Sequence, residues 1–324
     1  MRVAVVQGGP SSEASVSRVS AAAVAGALRD AGHAPSLIEL DAALPAKLAG
    51  HDVVFPLVHG ALGEDGCLQG LCEILGLPYV GSGVLASALA MDKVSAKVAF
   101  RGAGLPVARE HVVRRGDAGA AAAARAALGD AIAVKPGAAG SAIGVRLVRP
   151  DDPEAALGDA IAAALEYDDV VLCEELVVGR EVTCGVADAA TLFAETRALP
   201  PTEIRAKRGD FYDFSSKYAP GGSEHVCPAE LPPGCTERVQ ALAIAAHRAL
   251  GCRDLSRVDF VVGDTPDRVV LLEVNTLPGM TATSLYPEAM ARVGVEFAAM
   301  CDALVRAARA RAGRRAVPIP EMPL

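Results

Sequence analysis

The chain contains no tryptophan, and aromatic residues make up only 4% of its 324 positions. Lysine is nearly as scarce: Lys47, Lys93, Lys97, Lys135, Lys207 and Lys217 are the whole set, and arginine carries the rest of the positive charge. In a chain biased this far toward arginine, a retained lysine points to a place that needs a compact ammonium. The eight cysteines include no C-x-x-C pair and no metal-like spacing. That argues against a zinc ribbon or a redox dithiol, and the thiols read as reduced cysteines of a cytoplasmic protein. No apolar stretch is long enough to span a membrane. The opening Met-Arg-Val-Ala-Val-Val lacks the apolar core and cleavage site of a signal peptide and reads as a first strand. A basic excess is also missing. Net charge is −8, which argues against nucleic acid as the main partner. The one basic cluster, from Arg306 to Arg315, reads as the solvated face and tail of a last helix.

What is present is a long, apolar, glycine- and proline-rich chain, 52% hydrophobic. Its length exceeds one ordinary core and implies two or three domains. The first ninety residues alternate strand and helix: strands at 2–6, 34–40 and 52–58, a helix capped by Ser11 or Ser12, and a short helix at 68–75. This is the pattern of a parallel α/β domain. A single helix is expected at 85–101. Strands follow near 107–113, 131–135, 145–148, 170–173, 182–186 and 192–195. A long polar loop is expected at 199–220, then a helix at 236–250, a hairpin at 256–275 and a helix ending near Arg311. The expected domains are 1–90, 91–175 and 176–312, with a tail at 313–324.

The hairpin carries the strongest chemical signal. Side chains alternate along a strand, so Arg257 and Asp259 share one face, and Glu273 and Asn275 share one face of the partner. Val258, Phe260, Leu272 and Val274 then point into a core. A register pairing Asp259 with Glu273 gathers all four polar groups. Two carboxylates and an amide oxygen form a hard oxygen set suited to Mg²⁺. Arg257 beside them suits a phosphoryl group or a developing oxyanion.

Four weaker signals accompany it. Lys135-Pro136-Gly137-Ala138-Ala139-Gly140-Ser141 places a lysine at a strand end before a glycine-rich loop, which can close backbone N–H groups over phosphates or be a plain surface turn. In Glu174-Glu175-Leu176-Val177-Val178-Gly179-Arg180-Glu181, acids flank an apolar patch that can seat adenine, with a carboxylate for ribose; an ordinary exposed turn has the same look. Gly8-Gly9-Pro10-Ser11-Ser12-Glu13 opens a helix, where an anion binds or Glu13 takes an ammonium, unless it is simple capping. The segment 210–218 holds two of the five tyrosines and reads as a lid or a packing loop.

Taken together, these motifs resemble the D-alanine–D-alanine ligases of the ATP-grasp superfamily, over 2–309. The resemblance rests on His59-Gly60 with Gly63-Glu64-Asp65-Gly66; on Pro78-Tyr79-Val80-Gly81-Ser82-Gly83; on Ala90-Met91-Asp92-Lys93; on Phe211-Tyr212-Asp213 with Lys217-Tyr218; and on Leu272-Glu273-Val274-Asn275-Thr276 with Pro278-Gly279-Met280-Thr281. It implies an α/β, three-domain ATP-grasp architecture with an N-terminal parallel α/β domain. It implies ATP-dependent joining of two D-alanines through D-alanyl phosphate, for peptidoglycan precursors, by a cytoplasmic homodimer. Lys93, Lys135, Gly140 and Ser141 would meet ATP phosphates, with Lys217 reaching the γ-phosphate. Glu174, Glu175 and Val177 would surround adenine, and Glu181 would hold ribose. Asp259, Glu273 and Asn275 would hold two Mg²⁺ ions, for which Mn²⁺ can substitute. Glu13, near His59, would take the first D-alanine's ammonium. Arg257 and the Gly279 backbone would stabilise the oxyanion, and Ser284 and Leu285 the second D-alanine's carboxylate. Glu13, Ser141 and Tyr218 would form a chain tying lid to first domain. The proton leaving the second amine would pass to the Tyr218 chain or to the acyl phosphate.

The sequence departs from the family pattern at Ala14 and Ser15, where an Arg-Glu pair is usual, and at Ala138, Ala139 and Ala142 in the glycine loop, which implies weaker nucleotide affinity. Tyr218 argues against the rival D-alanyl-D-lactate activity, because relatives with it carry Phe there; D-alanyl-D-serine synthesis is another rival. A third rival is a non-catalytic relic that binds nucleotide or D-alanine. Retention of Lys93, Lys135, Lys217, Arg257, Asp259, Glu273 and Asn275 argues against that.

Overall fold

The computed structural model describes residues 1–189, 191–206, 222–281 and 283–311. Lys207, Lys217, Tyr218, the rest of 210–218 and the tail at 313–324 lie outside the described residues. Three sheets organise the chain. The first is parallel, with strands β1 (Arg2–Gln7), β2 (Ala34–Glu39) and β3 (Val53–Pro56) in the order β2-β1-β3. Residue Tyr79 extends its edge by bridging Val54 in parallel. Val3, Ala4, Val5 and Val6 are all buried, as expected for a strand covered on both faces. The helix Ala14–Asp30 covers one face through Val24 and Leu28, and Leu304 and Val305 of the helix Phe297–Ala310 join the same apolar cluster. The last described helix therefore packs back against the first helix and the first sheet.

The second sheet is antiparallel: β4 (Glu110–Arg114), β5 (Ile132–Pro136), β6 (Arg146–Val148) and β7 (Val170–Glu175), in the order β4-β7-β5-β6. The helices Ala120–Leu128 and Ala156–Ala164 share its core through Ala124, Leu157 and Ile161. The third sheet contains β8 (Arg180–Ala187), β9 (Arg197–Ala198), β10 (Thr202–Ala206), β11 (Ser223–Val226), β12 (Leu255–Val262) and β13 (Val269–Asn275). Its order is β11-β10-β8-β12-β13, with β9 also on β8. The helix Cys235–Ala249 packs Val239, Leu242 and Ala246 onto Val258, Phe260 and Val274. Residues of the second and third sheets line one shared cleft.

Several elements differ from the sequence-based expectation. The helix expected at 85–101 is two, Val84–Met91 and Lys93–Gly102. Asp92 is extended and accepts a hydrogen bond from the Ser95 backbone N–H at 2.6 Å, so it caps the second helix and makes Lys93 its first residue. Neither Ser11 nor Ser12 caps the first helix, which starts at Ala14 after Glu13. The Ser11 hydroxyl instead donates to the His59 carbonyl at 2.8 Å and so ties this turn to the next loop. The segment 192–195 forms no strand, only an isolated bridge at Phe193, and β10 occupies part of the expected long loop.

The largest correction concerns Leu272. Asp259 pairs with Glu273, but Phe260 pairs with Leu271, so Leu272 is the extra residue of a β-bulge. Strict alternation therefore breaks there. Leu271 and Val274 are buried in the core, while Leu272 turns out to line the cleft beside Glu273.

Candidate active site

The cleft has a volume of about 410 Å³, within the range of roughly 300–1,000 Å³ typical of small-molecule sites. One end is apolar on both walls. Ala133 and Leu147 come from the second sheet, Val145 from the turn just before β6, and Val182, Ile204 and Leu272 from the third sheet. Leu176, Val177, Val178 and Gly179, the connection from β7 to β8, close the edge between them. A flat heteroaromatic ring fits such a slot, and the backbone of the connection can supply its hydrogen bonds. Glu181 lines the same cleft. Glu175 does too, but its carboxylate turns to Arg109, accepting from Nε at 2.7 Å and from the backbone N–H at 3.0 Å.

Charge accumulates on the inner side of the slot. Glu174 is buried and holds two ammonium groups, Lys135 and Lys97. Burial alone pushes its carboxyl up, but the charges of Lys135 and Lys97 outweigh this and bring it from 4.5 down to about 2. Lys135, half-buried in the cleft wall, is pulled down by desolvation and more strongly up by Glu174, Glu273 and Glu181, so it stays an ammonium. Because the Glu174 pKa is depressed by folding, its contribution to stability is complete above the ordinary carboxylate value of 4.5 and is lost as pH falls toward about 2. Unfolding free energies measured across that window are expected to decline with acid, and Glu174→Gln is expected to flatten the decline. An unchanged slope in that variant would contradict this assignment.

Lys97 was missed as a site residue by sequence reasoning. Its ammonium is only 2% exposed, donates to the Ala108 carbonyl at 2.8 Å, and lies 3.3 Å from Glu110 as well as bonding Glu174. The usable signal was its spacing four residues after Lys93, at an apolar-flanked position of the same helix. Lys93 itself lines the cleft, donating to the Ala139 carbonyl at 2.6 Å and lying 3.8 Å from Glu273. The glycine loop, β5 and the helix Lys93–Gly102 thus place Lys93 and Lys135 in one cavity.

Arg257, Asp259, Glu273 and Asn275 lie on one surface because Arg257 pairs with Asn275 and Asp259 with Glu273. Arg257 grips Asp259 with two parallel bonds, Nε to Oδ1 at 3.0 Å and Nη2 to Oδ2 at 2.8 Å. Asn275 donates to Asp259 at 3.0 Å. Thr183, on the neighbouring β8, donates its hydroxyl to Asp259 at 2.6 Å; the sequence offered no sign of it, because cross-strand register alone brings it there. No group of three or more His, Cys, Asp or Glu residues among the described residues could hold a metal by itself. The set does fit Mg²⁺, which takes one or two carboxylates and completes its shell with water and phosphate oxygens.

The first domain reaches this surface through Glu13. Ser141 of the glycine loop donates its hydroxyl to the Glu13 carboxylate, and Gly140 packs beside it: a Cβ there would lie 3.5 Å from Glu13 Oε2. His59 is buried with Nδ1 3.8 Å from Glu64, and its Nε2 has no hydrogen-bond partner among the described residues. Desolvation lowers its pKa, but Glu64 and Glu13 more than offset this, so the net shift is upward. A buried imidazole with an unmatched nitrogen beside two carboxylates suits a zwitterionic ligand. On the other side Ser284 opens the helix Leu285–Arg292, and its hydroxyl accepts from the Thr281 backbone N–H at 3.0 Å. A Cβ on Gly279 would sit 3.1 Å from that hydroxyl, so the turn is tight around a helix N-terminus able to hold a carboxylate.

Two antiparallel sheets gripping one cleft, with Lys135 on one and an oxygen-rich hairpin on the other, define the ATP-grasp fold. Residues 99–306 match the D-ala D-ala ligase C-terminus and residues 41–82 the D-ala D-ala ligase N-terminus. The chain is similar to the D-alanine–D-alanine ligase of Acidiphilium cryptum, with 45% identity over 96% of this chain and 99% of that one. The D-alanine–D-alanine ligase of Granulibacter bethesdensis is 43% identical, over 96% of this chain and 99% of its own length. A crystal structure of the Bacillus anthracis D-alanine–D-alanine ligase complexed with ATP superposes with a TM-score of 0.79 at 29% identity, covering 95% of this chain and 97% of that one. The chain belongs to the D-alanine–D-alanine ligase family.

Proposed function

We propose that this protein joins two D-alanine molecules to D-alanyl-D-alanine at the expense of ATP, for cell-wall precursor synthesis. The observation that carries the reading is the meeting of three parts at one place: a cationic nucleotide cleft, the Arg257–Asp259 hairpin surface, and Glu13 delivered from the first domain onto Ser141. Adenine lies in the apolar slot against the 176–178 backbone, with Glu181 for ribose. Lys93 and Lys135, joined by Lys217, neutralise the phosphates. Asp259, Glu273 and Asn275 would hold Mg²⁺, whose charge would stabilise the transferring phosphoryl group.

Glu13 and His59 hold the ammonium and carboxylate of the first D-alanine. Its carboxylate oxygen takes the γ-phosphoryl group and ADP leaves. The amine of the second D-alanine, oriented by Ser284 and the N–H of Leu285, attacks the carbonyl of the acyl phosphate. Arg257 and the Gly279 N–H stabilise the oxyanion that forms. The C–O bond to phosphate then breaks, phosphate departs, and the amine loses its proton. Tyr218, which lies outside the described residues, would extend the Ser141–Glu13 pair into the chain that the family resemblance implies, helping to keep water from the acyl phosphate.

The three sequence segments 1–90, 91–175 and 176–312 serve as substrate domain and two nucleotide-gripping domains. Ile74 and Leu85 are exposed apolar side chains that a homodimer would cover. Unpaired cysteines suit the cytoplasm. Phosphate release from ATP and Mg²⁺ tests the reading: it should require D-alanine and yield D-alanyl-D-alanine. Release that proceeds only when D-lactate or D-serine is added would move the assignment to a depsipeptide or mixed ligase. No release from folded protein that binds ATP would overturn it.

A further inference from the structure

Asp254 has an unusual backbone for its position. It is buried, and at φ 63° it is one of the non-glycine residues in the left-handed region. A non-glycine residue pays a steric penalty there that glycine escapes, so its side chain must compensate. Both carboxylate oxygens are engaged. One accepts from the Gly81 backbone N–H at 2.7 Å, the other from Arg311. The adjacent Arg253 donates Nε to the Gly81 carbonyl at 2.8 Å and stacks its guanidinium 4.8 Å over the Tyr79 ring. Arg311 also donates to the Tyr79 carbonyl at 2.6 Å.

The segment gripped in this way, 79–83, continues the edge of the first sheet: the Val54 N–H donates to the Pro78 carbonyl at 2.8 Å, and the Val80 N–H donates to the Val54 carbonyl at 3.0 Å. Its other side rests on the end of the metal hairpin, where a Cβ on Gly81 would lie 3.2 Å from Leu277 and 3.9 Å from the Thr276 carbonyl. Asp254 itself stands directly before β12, which carries Arg257 and Asp259. One carboxylate therefore ties together the first sheet, the root of β12 and the end of the last described helix.

We propose that Asp254 is a positioning residue. With Arg253 and Arg311 it clamps the 79–83 edge onto the roots of β12 and β13, and so sets the distance from Glu13 and His59 to Arg257 and the Asp259 surface. The kinetic part of this rests on the D-alanine reading above; the clamp itself does not. The nucleotide slot lies between the other two sheets and is independent of it.

Glycine accepts φ 63° without strain, so Asp254→Gly removes the carboxylate while leaving the backbone at ease. Hydrogen exchange of the 79–83 segment and steady-state kinetics are measured on the full chain. In Asp254→Gly, exchange in 79–83 is expected to quicken and KM for D-alanine to rise, each by about tenfold, with KM for ATP within about twofold. Asp254→Asn keeps an oxygen for the Gly81 N–H and is expected to restore most of both. Unchanged exchange in Asp254→Gly overturns the clamp. An equal rise in KM for ATP, or no rise for D-alanine despite faster exchange, overturns the positioning role. Absence of D-alanine-dependent turnover in the unaltered protein would count against the substrate assignment, and the exchange result would still decide the clamp.

Discussion

Replacing Arg257 by alanine is expected to lower kcat by about a thousandfold while KM for ATP changes by less than about threefold. The guanidinium is largely enclosed, with 15% of its side chain exposed, and it is fixed by two parallel bonds to Asp259. An oriented donor of this kind needs no reorganisation as charge develops on the carbonyl oxygen, so its contribution falls mainly on the transition state. The nucleotide slot is built from other residues, which is why ATP affinity should be spared. Arg257→Lys retains the charge but not the two-pronged geometry, and should recover no more than about tenfold. Steady-state phosphate release with both substrates varied separates the parameters. A kcat within about tenfold of the unaltered protein would remove Arg257 from the oxyanion role.

The largest stability effect is expected at Lys97. Its ammonium is 2% exposed and stands between Glu174, 4% exposed, and Glu110, 13% exposed. Replacing it with methionine fills the space but leaves buried carboxylates short of one cation. Breaking a buried pair in this way costs about 3–5 kcal/mol, a fall in melting temperature of about 10 °C for a chain of this size. Glu174 keeps Lys135 as a partner, so the remaining repulsion is relieved further by Glu174→Gln. The double variant is therefore expected to melt above the Lys97→Met single variant, a coupling that a double-mutant cycle reads directly. A single variant melting within about 2 °C of the unaltered protein would show that the buried cation contributes nothing net.

Parts whose chemistry is local can be read from the chain alone. The alternation of Arg257, Asp259, Glu273 and Asn275 needs only a two-residue period and a turn, and the structure pairs them in the register that gathers all four. The parallel first sheet was equally legible, because β1 is one unbroken apolar run followed by glycines and a helix. What depends on partners distant in sequence emerges only when the chain is folded. The bulge at Leu272 turns a residue expected in the core into a cleft wall, and nothing within the strand announces it. Thr183 reaches Asp259 only through strand order, and Lys97 becomes a site residue only because β7 brings Glu174 to it across 77 positions. Asp254 belongs to no sequence motif, and only the edge of the first sheet gives its carboxylate a role. A side chain's own chemistry and its place in a repeating backbone are written locally; the dielectric, the partners and the face it presents are set by the segments that pack around it.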